Sequence, residues 1–396
     1  ERHRQANSRL VDRMDFDLSD EQRMLKDSVG QLIADRYDFE QRKKYMQEEA
    51  GYSRAQWAQY AGMGLLGLPF EERFGGVGGG PVETMIVMEA FGRGLVLEPY
   101  LATVVLGGGL VNLGGDDAQR EAILPAIADG SLLLAFAHAE EQSRNDLADV
   151  ATRATRDADG WILDGAKAFV GHGNCAGKLV VSARISGDRT SREGIGLFLV
   201  DANATGLSRK DYETQDGLRA AHVTLSGVKV SSNDAIGEPG RALPLIERVV
   251  GNALVAVAAE AVGAMAAAHE ITLDYLRTRQ QFGVAIGTFQ VLQHRAVDML
   301  VNVEQARSMA LFATMMVDDP DPAERAKAIS AATVQVRRAG KFVGQQAVQL
   351  HGGIGMTLEY RIGHYFKRLT AMESLFGDTD YHLAAVARAG GLIAAG

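Results

Sequence analysis

The stretch Y-L-R-T-R-Q-Q-F-G at residues 275–283, followed by I-G-T-F-Q-V-L-Q-H at 286–294, decides how this chain is read. An Ala-rich helical run ends there, and its foot carries a cation, an amide and an aromatic ring. Arg279 offers a planar fork of donors suited to a pyrophosphate, Gln281 can donate to or accept from a phosphate or ring edge, and Phe282 presents a flat apolar face. By residue type alone a plain helix end serves as well, with an arginine answering the helix dipole. The order of these residues, taken with A-V-Q-L-H-G-G-I-G-M-T at 347–357, favours a phosphate-bearing planar cofactor.

Helical periodicity extends outward from this stretch. One helix carries residues 247–275 and a second runs from about Gln290 to Val317. Asp321 and Pro322 then stand as cap and first-turn residues of a third. In that helix Ile329, Ala332, Val336, Ala339, Val343, Ala347 and Leu350 form one packing stripe, which stops at Gly352 and suits a C-terminal four-helix bundle. Upstream the period falls toward two, with strands expected at 161–164, 179–185, 195–201 and 222–228 in a small antiparallel β domain. Before that the pattern is helical again. Ser19 and Gln22 form a capping box ahead of Leu25, Val29, Leu32 and Ile33, and G-G-V-G-G-G at 75–80 reads as a turn between helices, since no β-rich segment leads into it. The fold class is therefore mainly α with a β middle domain: a helical N-domain at 14–132, the β domain at 133–245 and a helical bundle at 246–396. Residues 1–13 read as an extension without the apolar core of a signal peptide.

Composition narrows the function. The chain has 396 residues, enough for two or three domains. With 41 basic against 50 acidic residues and a net charge of -9, it has no basic run to track nucleic acid. A lone cysteine, Cys175, excludes an internal disulfide or thiolate metal cage, reads as a small filler and points to the cytoplasm; no metal ligands are expected. The apolar run 251–268 is interrupted by Asn252 and Glu260, which suits a buried helix better than a membrane span.

The segments at 275–294 and Q-x-x-G-G at 349–353 resemble the flavin-binding signature of the acyl-CoA dehydrogenase family, and the likeness runs over nearly the whole chain from Met14. The resemblance implies FAD between the β and C-terminal domains, held by Arg279, Gln281, Phe282, Gln290 and Phe169, with Gln349, Gly352 and Gly353 reaching in from a neighbouring subunit. It also implies an acyl-CoA substrate, pairing through the bundle as a homo-oligomer or a heteromer, and an electron-transferring flavoprotein as acceptor.

Desaturating a thioester between its α and β carbons requires a base for the α proton, a hydride acceptor and donors that polarise the carbonyl once water is excluded. In most of the family the base is the Glu of a Y-E-G-T motif. Counting forward from Arg368 places Phe376, Gly377, Asp378 and Thr379 there, so the base position holds glycine. Gly377 retains a backbone N–H for the thioester oxygen. Asp378 is the nearest substitute, although a cap or turn role fits F-G-D-T better. The base position that some branches place on the long helix falls on Ala253, followed by Leu254. Glu260 lies on the same face about 10 Å further along and is the second candidate, against a paired buried glutamate; Glu247 is weaker.

The middle domain departs as well. Where the family shows T-E-P-G-A-G-S-D, this chain has A-E-E-Q-S-R-N-D at 139–146, sharing Glu140 and Asp146. In the next segment Gly165 and Lys167 are kept, the Trp becomes Phe169 and the Thr becomes Gly171. G-L-R-A-A at 217–221 and L-S-G-V-K-V at 225–230 match. F-G-D-T, A-A-E-A-V-G at 258–263 and H-G-G-I-G-M-T-L-E-Y at 351–360 resemble the small subunits of heteromeric pimeloyl-CoA dehydrogenases, which act on dicarboxylyl-CoA; there Glu359 and His364 are site candidates or simple hydrogen-bonding residues. Three readings follow: a working dehydrogenase, a catalytically silent subunit that completes the cofactor site of a homologous large subunit, and an acyl-CoA oxidase.

Overall fold

A computed structural model describes residues 17–390; the 1–13 extension and Met14 lie outside the described residues. Helices α1 (Asp20–Arg36), α2 (Phe39–Met46), α3 (Arg54–Gly62) and α4 (Pro81–Gly94) come first. A π-helical turn (Leu101–Gly108) then runs into α5 (Gly109–Gly114), and α6 (Asp117–Ala128) follows. Ser19 and Gln22 form the expected reciprocal cap of α1, satisfying two donors that a helix start leaves open. Gly80 caps α4, its N–H donating to Glu83 Oε2 at 2.7 Å, so the glycine run is a turn between helices.

The sheet contains β1 (Leu134–Ala137), β2 (Arg153–Arg156), β3 (Gly160–Gly171), β4 (Lys178–Arg184), β5 (Ile195–Asp201), β6 (Leu207–Glu213), β7 (Arg219–Ser231) and β8 (Ala235–Ile236). Its order is β6-β7-β3-β2-β4-β5-β8, with β1 beside β4. Most pairings are antiparallel, but β1 and β2 meet β4 in parallel. The four expected strands fall on β3, β4, β5 and β7, the second running one residue past the end of β4, while β1, β2, β6 and β8 were not anticipated. Between Lys167 and Val170 the β3–β7 register slips; such a bulge re-aims side chains, and Phe169 there is 41% exposed.

The C-terminal part comprises α7 (Leu243–Thr278), a two-stranded turn of β9 (Gln280–Gln281) and β10 (Val284–Ala285), then α8 (Gln290–Met316), α9 (Pro322–His351), α10 (Ile362–Met372) and α11 (Thr379–Arg388). All seven stripe residues of α9 are buried. Among the described residues α7 is the helix long and apolar enough to cross a membrane, but 89% of its apolar window is buried in the protein, which makes it the core rod of the bundle. It also docks on α4 with no side chain between: a Cβ at Gly92 would fall on the Glu260 carbonyl, and one at Gly263 on that of Glu89. This contact fixes the height of Glu260 against the N-terminal helices.

Candidate active site

A cavity of about 610 Å³ opens where the three parts meet. Phe91, Glu98 and Tyr100 border it from the N-terminal helices, Phe169 and His172 from the sheet, and Glu260, Arg368 and Phe376 from the bundle. Exposed Arg144 and Gln215 mark its mouth, whereas Glu98 and Tyr100 are 5% and 1% exposed and mark its depth.

Arg368, on α10, organises one wall. Its Nε and Nη2 donate to the two oxygens of Glu260 at 2.7 and 2.8 Å, and its Nη1 donates to Asp216 Oδ2 at 2.7 Å. All three are buried, and the bidentate fork is the strong form of such a pair. Burial would lift the Asp216 carboxyl, but the Arg368 charge and the Thr214 hydroxyl hold it below its ordinary value. Arg42 ties the same corner to the N-terminal helices through the carbonyls of Leu95 and Asp216, at 2.7 and 2.9 Å. Glu260 thus borders the cavity with each of its carboxylate oxygens bound by Arg368.

Asp378 takes the cap role that F-G-D-T suggested. It is exposed, caps α11 by accepting from Tyr381 N at 2.7 Å, and does not line the cavity. Gly377 is buried at φ 107, its carbonyl taken by Arg337. A Cβ added there would stand 2.5 Å from Tyr381 Cδ1 and 3.0 Å from His382 Nε2, so the space for a side chain is filled. Ala253 and Leu254 are buried in the core. Glu247 pairs with Arg192 at 2.6 Å. Glu359 is exposed, and His364 is occupied by the Leu358 carbonyl at 3.1 Å and the Phe39 ring.

On the sheet side, buried Lys167 Nζ donates to Glu140 Oε1 at 2.7 Å. Burial pulls the ammonium down to about 8, while Lys167 and the Thr152 hydroxyl outweigh burial at Glu140 and hold it at about 2. Glu140 also accepts from the N–H groups of Ala151 and Thr152, which anchors the 139–146 loop at the cavity mouth. Asp146 is spent on the Ala148 N–H there, at 2.9 Å. Gly171 lines the cavity with no side chain.

The residues of the opening stretch lie elsewhere. Arg279, Gln281, Phe282 and Gln290 are all exposed at the far end of α7, as are Gln349, Gly352 and Gly353 at the end of α9. The Tyr275 and His351 rings, 4.4 Å apart, hold the two ends together. From Glu260 to Arg279 is about 28 Å of helix axis at 1.5 Å per residue, so both sets converge on one surface remote from this chain's own cavity.

Family models match end to end: the acyl-CoA dehydrogenase N-terminal domain over residues 19–131, the middle domain over 135–229 and the C-terminal domain over 244–391. The chain belongs to the acyl-CoA dehydrogenase family. Acyl-CoA dehydrogenase FadE12 of Mycobacterium tuberculosis is 30% identical over 87% of this chain and 89% of its own length. Probable acyl-CoA dehydrogenase YngJ of Bacillus subtilis is 26% identical over 95% and 99%. Among solved structures, a variant of the Tcur3481–Tcur3483 steroid ACAD is 31% identical with a TM-score of 0.83, covering 93% of this chain and 97% of that one. Butyryl-CoA dehydrogenase of Megasphaera elsdenii, at 23% identity and a TM-score of 0.87 over 95% and 99%, shares the fold. For an acyl-CoA dehydrogenase, then, this chain keeps the fold, exposes a cation–amide–aromatic surface at 279–282, and leaves no room for a side chain at position 377. Sequence reasoning missed Glu98, Asp216 and His172. A lone acid inside the apolar run 95–106 was the available signal for Glu98.

Proposed function

We propose that this chain is the base-less subunit of a heteromeric, FAD-dependent acyl-CoA dehydrogenase, completing the cofactor site of a homologous chain that carries the proton acceptor. The observation that carries this is the closure of position 377 by Tyr381 and His382, with Asp378 spent on a helix cap and Glu260 on Arg368. The residues present fit FAD unevenly. Arg279, Gln281, Phe282, Gln290, Gln349, Gly352 and Gly353 form an exposed donor-rich surface suited to a neighbour's cofactor. Around this chain's own cavity the Phe169 ring remains for stacking, but Gly171 supplies no hydroxyl. FAD, when bound, would accept hydride from the β carbon and pass the electrons to an electron-transferring flavoprotein. The share of this chain is to grip the cofactor and exclude water.

A dicarboxylyl substrate gains no support from the cavity, because its buried cation Arg368 is already matched by two carboxylates. An oxidase reading has no feature here in its favour.

The test is co-expression with a homologous chain bearing Y-E-G-T. The chain alone should show little flavin and no dehydrogenation, and the co-purified complex should hold less than one FAD per chain and turn over. Full turnover by the homomer would refute the reading.

A further inference from the structure

The cavity is graded from an apolar depth to a cationic mouth. Buried Met88, Phe91, Val96, Leu106 and Phe136 line its depth. The carboxylates of its lining are spent within the protein: Asp216 and Glu260 on Arg368, Glu98 on the Tyr37 and Tyr60 hydroxyls and the Ser53 N–H, and Asp146 on the Ala148 N–H. Two lining arginines are not. Arg144, exposed, and Arg219, half-buried, make no side-chain hydrogen bond or ion pair among the described residues. They stand on two segments that meet the same end of β3. Ala168 N donates to the Ala139 carbonyl at 2.8 Å, where the 139–146 loop joins the strand, and His172 N donates to the Arg219 carbonyl at 2.8 Å four residues on. Arg219 directly follows the tight β6–β7 turn, closed by Thr214 N on the Leu218 carbonyl at 2.9 Å, which carries Gln215 at the mouth.

Arg144 is held there at a cost. Its φ of 47 lies in the left-handed region, which a residue with a Cβ disfavours. Five described non-glycine residues adopt such a backbone, and three of them, Arg144, His172 and Phe376, line this cavity; strain of this kind gathers at ligand sites. The loop is pinned on both sides of Arg144, by Glu140 on Lys167 and by Asp146 on Ala148. Its remaining acid, Glu141, is exposed and not part of the lining. The pattern T-E-P-G-A-G-S-D puts glycine where Arg144 stands, so both the cation and the strain are this chain's departure from it.

We propose that Arg144 and Arg219 form an anion site at the cavity mouth, which takes the phosphate or diphosphate of a nucleotide whose apolar or ring portion enters the cavity. Each guanidinium offers a planar fork that matches two phosphate oxygens. CoA and FAD both carry a diphosphate. The acyl-CoA dehydrogenase reading above supplies these two carriers, whereas the anion site itself stands on the free arginines.

The full chain, in complex with its homologous partner or as the homomer, is titrated calorimetrically with the S-octyl thioether of CoA and with FAD, each with and without inorganic pyrophosphate as competitor. Arg144→Gly, made in this chain alone, should weaken the nucleotide held here about tenfold or more, as loss of a charge-assisted bond implies. Arg219→Gln should weaken it several-fold. Pyrophosphate should compete in the unsubstituted protein and lose that effect in Arg144→Gly, and the difference between the two proteins should shrink at high ionic strength. Arg144→Gly should not lower the melting temperature, because glycine relieves the left-handed backbone; an arginine kept for structure alone would not combine weaker binding with an unharmed fold. Loss confined to the CoA thioether assigns the phosphate to CoA, and loss confined to FAD assigns it to the flavin; both support the site. Unchanged affinity in either variant, or failure of pyrophosphate to compete, overturns the anion site and leaves the subunit reading intact. Full dehydrogenase turnover by the homomer overturns the subunit reading and leaves the anion site.

Discussion

At the scale of single residues, the cavity separates carboxyls by what faces them. Glu260 meets a guanidinium; the Glu98 carboxyl meets the Tyr37 and Tyr60 hydroxyls and the Ser53 N–H, with Tyr52 nearby and no cation paired with it among the described residues. Burial therefore pushes Glu98 up to about 7, against hydrogen bonds that pull the other way. A carboxyl raised on folding binds more protons in the native state. Its neutral form favours the fold fully below the ordinary value of 4.5 and loses that contribution as pH rises through about 7. At 1.36 kcal/mol per unit, about 3 kcal/mol is at stake. Urea denaturation near pH 5 and pH 8 should show the native protein losing stability over this interval, and Glu98→Gln should flatten the loss. The same slope in both proteins would show that Glu98 ionises freely. Glu260→Gln breaks a buried pair and should cost roughly 3–5 kcal/mol, so its effect on turnover must be judged against the melting curve before any base is inferred. Glu260 was legible in the sequence as an acid on an apolar helix. Its partner was not, because Arg368 lies 108 positions away and only the packing of α10 on α7 brings the two together.

At the scale of elements, legibility follows periodicity. The α9 stripe and the α1 cap were readable because each repeats or pairs within a few residues. β2 spans four residues and β8 two, too short for an alternation to stand out. The α4–α7 contact is set by two glycines that no local pattern flags. Gly92→Ala and Gly263→Ala should each destabilise by about 1–3 kcal/mol or more as the backbones are forced apart, and the double variant should cost less than the sum, since both act on one contact. Chemical denaturation checks this, and strict additivity would mean two separate contacts. Asp378 belongs to this scale too. Asp378→Ala should cost about 1 kcal/mol as a lost cap, while Asp378→Asn, which keeps the cap, should leave both stability and turnover of the complex unchanged.

At the scale of the whole molecule, the stretch that identifies the family sits at the C-terminal end of α7, while the cavity that would hold a substrate borders the middle of the same helix. The sequence makes each legible and leaves their separation hidden, because both lie on or beside a continuous run of α7. That separation makes a prediction about assembly. If the exposed surface at Arg279, Phe282 and Gln349 serves a neighbour, Arg279→Ala in this chain should strip FAD from the complex, lowering the flavin absorbance per complex several-fold. The melting temperature of this chain purified alone should not change, because Arg279 is exposed and makes no side-chain ion pair or hydrogen bond among the described residues. The matching substitution in the homologous chain should act on any cofactor held in this chain's own cavity, where the Phe169 ring is exposed but Gly171 gives no hydroxyl, and should therefore remove less flavin. Equal loss from the two substitutions would mean that both cavities hold FAD alike, and the division of labour between the chains would have to be abandoned.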